Sequence, residues 1–111
     1  MIKKDNLLPD EDIEFSIQIL PEIPGLHSAF ETEISLLPDK EIKITWKEAD
    51  QEIIYCLSGN GIVSFPSLDL TIQRGDRIII DEKQDYVIQN SGLSPLDFIR
   101  RGISIIPLGK F

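Results

Sequence analysis

Few residues in this 111-residue chain combine a reactive type with an informative spacing. Glu48 and Glu52 stand four residues apart, and two neighbouring carboxylates push one of their pKa values upward, the condition for an acid–base pair. With water they could also hold a hard cation weakly. Four positions along a strand or strand end set no fixed separation, so spacing alone does not make them a pair. The single histidine, His27, lies far from both, and nothing in its spacing aims it at them. The single cysteine, Cys56, rules out an internal disulfide and a thiolate cluster for zinc or iron–sulfur. No Ser–His or Cys–His nucleophile can be assembled. Cys56 alternates in phase with Glu52 and Ile54 and reads as a small core residue. Asp76, after Gly75, reads as a turn cap, and Gly59 and Gly61 follow no phosphate-loop spacing.

The elements that must position these residues are strands. Ile13, Phe15, Ile17 and Ile19 alternate with polar residues, the period-two pattern of a half-buried strand, and Pro21, Pro24 and Gly25 end it. Ala29 to Leu37 and Glu41 to Trp46 form two further candidates, parted by a turn at Pro38-Asp39-Lys40. Ile53 to Leu57 is a short apolar run closed by Gly59-Asn60-Gly61, where Asn-Gly favours a tight hairpin. Ile62 to Phe65, Leu70 to Ile72, Arg77 to Ile80, Val87-Ile88, Leu96 to Ile99 and Ile103 to Ile106 supply the rest, with Arg101-Gly102 read as a break. No window holds helical periodicity. Lys47 to Tyr55 comes nearest, but its apolar half is too short and too β-branched. Many short strands with frequent turns mean an all-β antiparallel sandwich or barrel. Its expected core includes Ile44, Ile54, Cys56, Val63, Ile80, Ile88, Phe98 and Ile103.

The size fits one domain. Residues 1–12 are polar and acidic and read as a flexible arm, with the β-domain spanning 13–111. Nineteen acidic against eleven basic residues give a formal charge of −8, a surface that repels phosphate backbones and anionic lipid. Arg100 and Arg101 are the only adjacent arginines, too few for a polyanion track. There is neither an apolar run long enough to span a bilayer nor a secretory start. Nucleic acid and membrane are therefore not expected partners, and a cytoplasmic location is expected.

Two segments, Glu52 to Gly59 and Gly75 to Asn90, resemble the two signature motifs of the cupin superfamily. Those are small β-barrels that usually hold a metal on three histidines and a glutamate. Glu52 and Gly59 fit the end of the first motif, and Gly75 and Asn90 the ends of the second. Gln73 to Ile80 resembles the opening of the second motif, and Asn90-Ser91-Gly92-Leu93-Ser94-Pro95-Leu96 its continuation into the next strand. The resemblance covers about two thirds of the chain and implies a double-stranded β-helix, or jelly-roll, barrel. At the histidine positions stand Trp46, Glu48 and Tyr86, while the second motif's proline and glycine are Asp81 and Lys83. An indole offers no free lone pair and a phenol stays protonated near neutrality, so no metal site and no cofactor are expected.

The resemblance also implies that Trp46, Glu48, Glu52 and Tyr86 line the open end of the barrel. Two aromatic faces and two carboxylates suit a small-molecule ligand. The first expectation is thus a metal-free, cupin-like binding or sensing protein without catalysis. A second is a metal-independent isomerase, epimerase or lyase using Glu48, Glu52 and Tyr86. A third is a structural or protein-interaction module whose barrel is plugged by Trp46 and Tyr86. Small all-β chains carry edge strands that are safest when covered, and cupin-like proteins are commonly dimers. A homodimer is therefore expected, with the Ile13–Ile19 strand crossing to the neighbour.

Overall fold

The computed structural model describes residues 2–6, 26–46 and 49–105, the first four residues of the second segment and residue 105 as backbone only. Nine strands make up these segments: β1 (Ile2–Asn6), β2 (Leu26–Leu36), β3 (Glu41–Ile44), β4 (Gln51–Ser58), β5 (Asn60–Phe65), β6 (Leu68–Gln73), β7 (Asp76–Ile80), β8 (Tyr86–Asn90) and β9 (Leu96–Ile105). They form a five-stranded sheet ordered β1-β7-β4-β9-β2 and a four-stranded sheet ordered β3-β8-β5-β6. Every pairing is antiparallel. This is the two-sheet antiparallel arrangement that the alternating sequence implies, in the jelly-roll form that the resemblance implies.

The pleat sorts the apolar residues into two clusters. Ile44, Ile54, Cys56, Val63, Ile80, Ile88 and Phe98 fill the space between the sheets, together with Trp46, Phe65 and Tyr86. Ile103, expected in the same core, instead joins Ile53, Tyr55 and Ile99 in a second cluster. The reason is the period of two: in β9, Phe98 and Gly102 share one face, and Ile99 and Ile103 the other.

Three local expectations need correction. Residues 2–6 are not a free arm but the edge strand β1, paired along β7. Arg77 binds Asp5 through Nε at 3.0 Å and Nη2 at 2.6 Å, and Asn6 Nδ2 donates to Asp76 at 2.7 Å. Polar residues thus hold β1 by pairing across the strands. The Gly59-Asn60-Gly61 segment is not a hairpin, because β4 and β5 belong to different sheets. Gly59, with φ of 89°, makes the corner between sheets, and Asn60-Gly61 already belongs to β5. Arg101-Gly102 does not break the last strand either, since β9 runs through it without a turn. The Ile13–Ile19 strand and its proposed crossover lie outside the described residues.

Other turns fall where the residue types put them. Lys40 N donates to Leu37 O at 3.1 Å, closing the Pro38-Asp39-Lys40 turn, where Asp39 adopts φ of 65°. Asp76 Oδ2 accepts from Gln73 N at 2.9 Å, the cap expected of an aspartate beside Gly75. The Asn90 side chain joins two chain segments, donating to Leu36 O and Ser94 O and accepting from Gly92 N.

Candidate functional site at one end of the barrel

A single transverse row crosses the five-stranded sheet. Ile2 pairs with Ile80, Ile80 with Glu52, Glu52 with Gly102, and Gly102 with Phe30. Glu52 is at the centre of this row and is completely buried. A carboxylate in that position needs compensation, because an isolated charge away from water is strongly disfavoured. Two strands supply it, one beside β4 and one in the opposite sheet. From β9, Arg100 donates Nε to Oε1 and Nη2 to Oε2, each at 2.9 Å. From β8, across the interior, the Tyr86 hydroxyl donates to Oε1 at 2.6 Å. Arg100 Nε also lies 3.2 Å from the Tyr86 oxygen. The result is a closed carboxylate–guanidinium–phenol network.

The electrostatics follow from burial. Tyr86 is driven well above the ordinary phenol range, first by desolvation and then by the Glu52 charge and hydrogen bond. The phenol therefore remains a donor. Burial would lower the Arg100 value, but its bonds to Glu52 and Tyr86 outweigh that and raise it, so the guanidinium stays cationic. The Phe30 ring caps this cation at 4.7 Å from the ring centroid, a cation–π distance.

Trp46 and Tyr86 both enter the interior cluster, but their polar groups have different partners. Trp46 Nε1 donates to Ala49 O at 2.9 Å, and Trp46 N donates to Asp85 Oδ1 at 3.2 Å. Tyr86 packs against Phe65 with ring centroids 5.4 Å apart and planes tilted by 40°. Of the four residues expected at the site, Glu52 and Tyr86 are thus bonded and Trp46 shares the interior cluster of Tyr86. Glu48 lies outside the described residues.

Arg100 and Phe30 are not among the residues expected at the site, and from the sequence Arg100 stands only as half of a weak basic pair. The available signal was phase: in β9, Arg100 falls two residues after Phe98 and so shares its inward face. Phe30 carried no signal, because the irregular register between Ser28 and Phe30 shifts the strand locally.

The usual cupin metal does not fit this arrangement. Both oxygens of Glu52 are taken by hydrogen-bond donors, and the facing residues present a phenol O–H and a guanidinium rather than lone pairs. Among the described residues, no three His, Cys, Asp or Glu side chains converge to hold a metal ion. Nor is any described helix long and apolar enough to cross a membrane. A cleft of about 320 Å³ opens at the opposite ends of β7 and β8, lined in part by Lys4, Asn60, Gln73, Asp76 and Ser91. It is separate from the Glu52 network.

Comparison with known proteins agrees with this architecture. No family model matches the chain, and no curated protein matches it significantly. Solved structures do. The cupin domain of an XRE family transcriptional regulator from Enterobacter cloacae superposes with a TM-score of 0.61 at 17% identity, covering 74% of this chain and 96% of that one. A predicted oxalate decarboxylase from Thermotoga maritima gives 0.60 at 22% identity, covering 95% and 81%. A cupin superfamily protein from Desulfitobacterium hafniense gives 0.57 at 11% identity, covering 95% and 99%. The chain therefore has the cupin fold, a double-stranded β-helix. Within that fold, its interior glutamate is paired with an arginine and a tyrosine.

Proposed function

We propose that this chain is a metal-independent, non-catalytic binding module that receives a small molecule at the end of the barrel marked by Trp46, Glu52, Tyr86 and Arg100. One observation carries the reading. Glu52 and its Tyr86 partner are sealed, whereas the Arg100 side chain keeps 16% of its surface exposed. Among the described residues, its Nη1 has no hydrogen-bond partner. A ligand oxygen can dock on that nitrogen while a flat ring lies against Phe30. Catalysis by Glu52 and Tyr86 is the weaker alternative, because both Glu52 oxygens are already engaged by donors and the Tyr86 phenol is kept protonated.

The burial of Tyr86 against Phe65 supports a second reading, a plugged barrel with a structural role. Emission from Trp46, the sole tryptophan, separates the two. Planar compounds bearing a carbonyl or carboxylate are titrated into wild-type protein and Arg100→Met. Saturable emission changes, weakened roughly tenfold or more in the variant, are expected. No saturable change with any compound at millimolar concentration would favour the plug. We also propose a homodimer, since β2 is a long edge strand and uncovered edges are a liability. A monomer mass by light scattering at tens of micromolar would defeat it.

A further inference from the structure

Glu52 stands at the position that, in the cupin pattern, contributes the carboxylate to a metal ion. Here both of its oxygens already accept donors, Oε1 from Tyr86 and Arg100 and Oε2 from Arg100. We infer that Arg100 is the resident cation of this barrel: a guanidinium built into β9 supplies the positive charge that Glu52 would otherwise take from a metal ion, and so excludes such ions from the site.

The geometry is specific to a guanidinium. Its Nε and Nη2 form the two-pronged edge that matches a carboxylate, and each prong meets a different Glu52 oxygen at the same 2.9 Å. A lysine would offer one point charge and could not bind both oxygens in this way. The cation is held from its other sides as well. Phe30 covers one face, and the Tyr86 hydroxyl lies 3.2 Å from Nε. The Phe30 ring reaches that position because Gly102, its cross-strand partner, has no side chain to obstruct it. The charged and titratable groups facing Glu52 among the described residues are Arg100 from β9 and Tyr86 from β8, while β7 presents Ile80. A divalent ion entering here would compete with these donors for the Glu52 oxygens and sit beside a fixed positive charge, which disfavours it on both counts. The inference holds whether or not the barrel end takes a ligand.

The test has two arms, both on the full untagged chain. In the first, manganese(II) and zinc(II) are titrated into wild-type protein, followed by calorimetry and Trp46 emission. No stoichiometric binding is expected at micromolar ion concentrations. One ion per chain bound with a change in Trp46 emission would overturn the inference without any variant. In the second, melting temperatures are compared for wild type, Glu52→Gln, Arg100→Met and the double variant. Each single change strands one charge, so both should lower the melting temperature. The double variant, with neither charge, should melt above at least one of the single variants. A double variant that loses the sum of the two single losses would show that the residues do not compensate each other, and would also overturn the inference. Should the variants fail to fold, the wild-type titration decides alone.

Discussion

Phe30 and Gly102 face each other across the β2–β9 pair, and the phenyl ring occupies the space that a Gly102 side chain would need. An added Cβ would overlap the ring itself. Gly102 is therefore needed for room rather than for an unusual backbone angle, since only Gly59 and Gly75 among the described glycines have positive φ. That vacancy lets Phe30 lie over Arg100, which in turn binds Glu52.

Gly102→Ala is expected to lower stability by about 1–3 kcal/mol, the usual effect of overpacking a filled interior. In a Phe30→Ala background the same change should be tolerated, because the obstructing ring is gone. Chemical denaturation of the four proteins gives the coupling, expected within about 0.5–3 kcal/mol. Simple additivity would mean that the ring and the glycine do not share this space.

Tyr86→Phe removes one of the hydrogen bonds to a buried carboxylate while retaining the ring that packs on Phe65. A loss of about 1.5–3 kcal/mol is expected, the range for hydrogen bonds to charged groups. Little change would mean that Arg100 alone satisfies Glu52.

Stability should also depend on alkaline pH through Tyr86. Burial, and then the Glu52 charge, raise its folded-state pKa above the ordinary phenol value, so the folded form keeps its proton where the unfolded form gives it up. The contribution is fully present below the unfolded pKa and is lost as pH rises above it toward the folded value. Wild-type melting temperature should therefore fall above pH ~10, and Tyr86→Phe should fall less steeply. Parallel curves for the two proteins would contradict this.

Cys56 is fully buried, and its thiol is pushed up to about 11, mainly by desolvation with the Asp76 charge adding to it. The thiolate is the reactive form, so the folded protein should react slowly with a disulfide reagent near neutral pH. Reaction should become fast in denaturant. Rapid labelling of the folded chain would show that the interior opens easily at β4.

Trp46→Phe deletes the buried indole donor to Ala49 O and is expected to lower stability by about 0.5–1.5 kcal/mol. Trp46→Ala should lower it by about 3–5 kcal/mol, because a large side chain leaves a cavity. A loss below 1 kcal/mol for the alanine variant would place the indole outside the packed interior.

The sequence by itself determined the class of fold and much of its punctuation. Alternation along β4, β5, β7 and β8 decides which side chains turn inward, since that depends only on the two-residue pleat. The turns at Pro38-Asp39-Lys40 and Gly75-Asp76 are also local, set by residues that tolerate or cap a sharp bend. Tertiary structure alone decided what surrounds Glu52. Arg100 is 48 residues away and Tyr86 is 34 residues away in the chain, and their meeting depends on which strands become neighbours in the two sheets. It likewise decided that Arg101-Gly102 continues a strand, because both residues are paired on two sides, with β2 and with β4. Pleat and turn are properties of adjacent residues, whereas a buried charge finds its partner only after distant strands have paired.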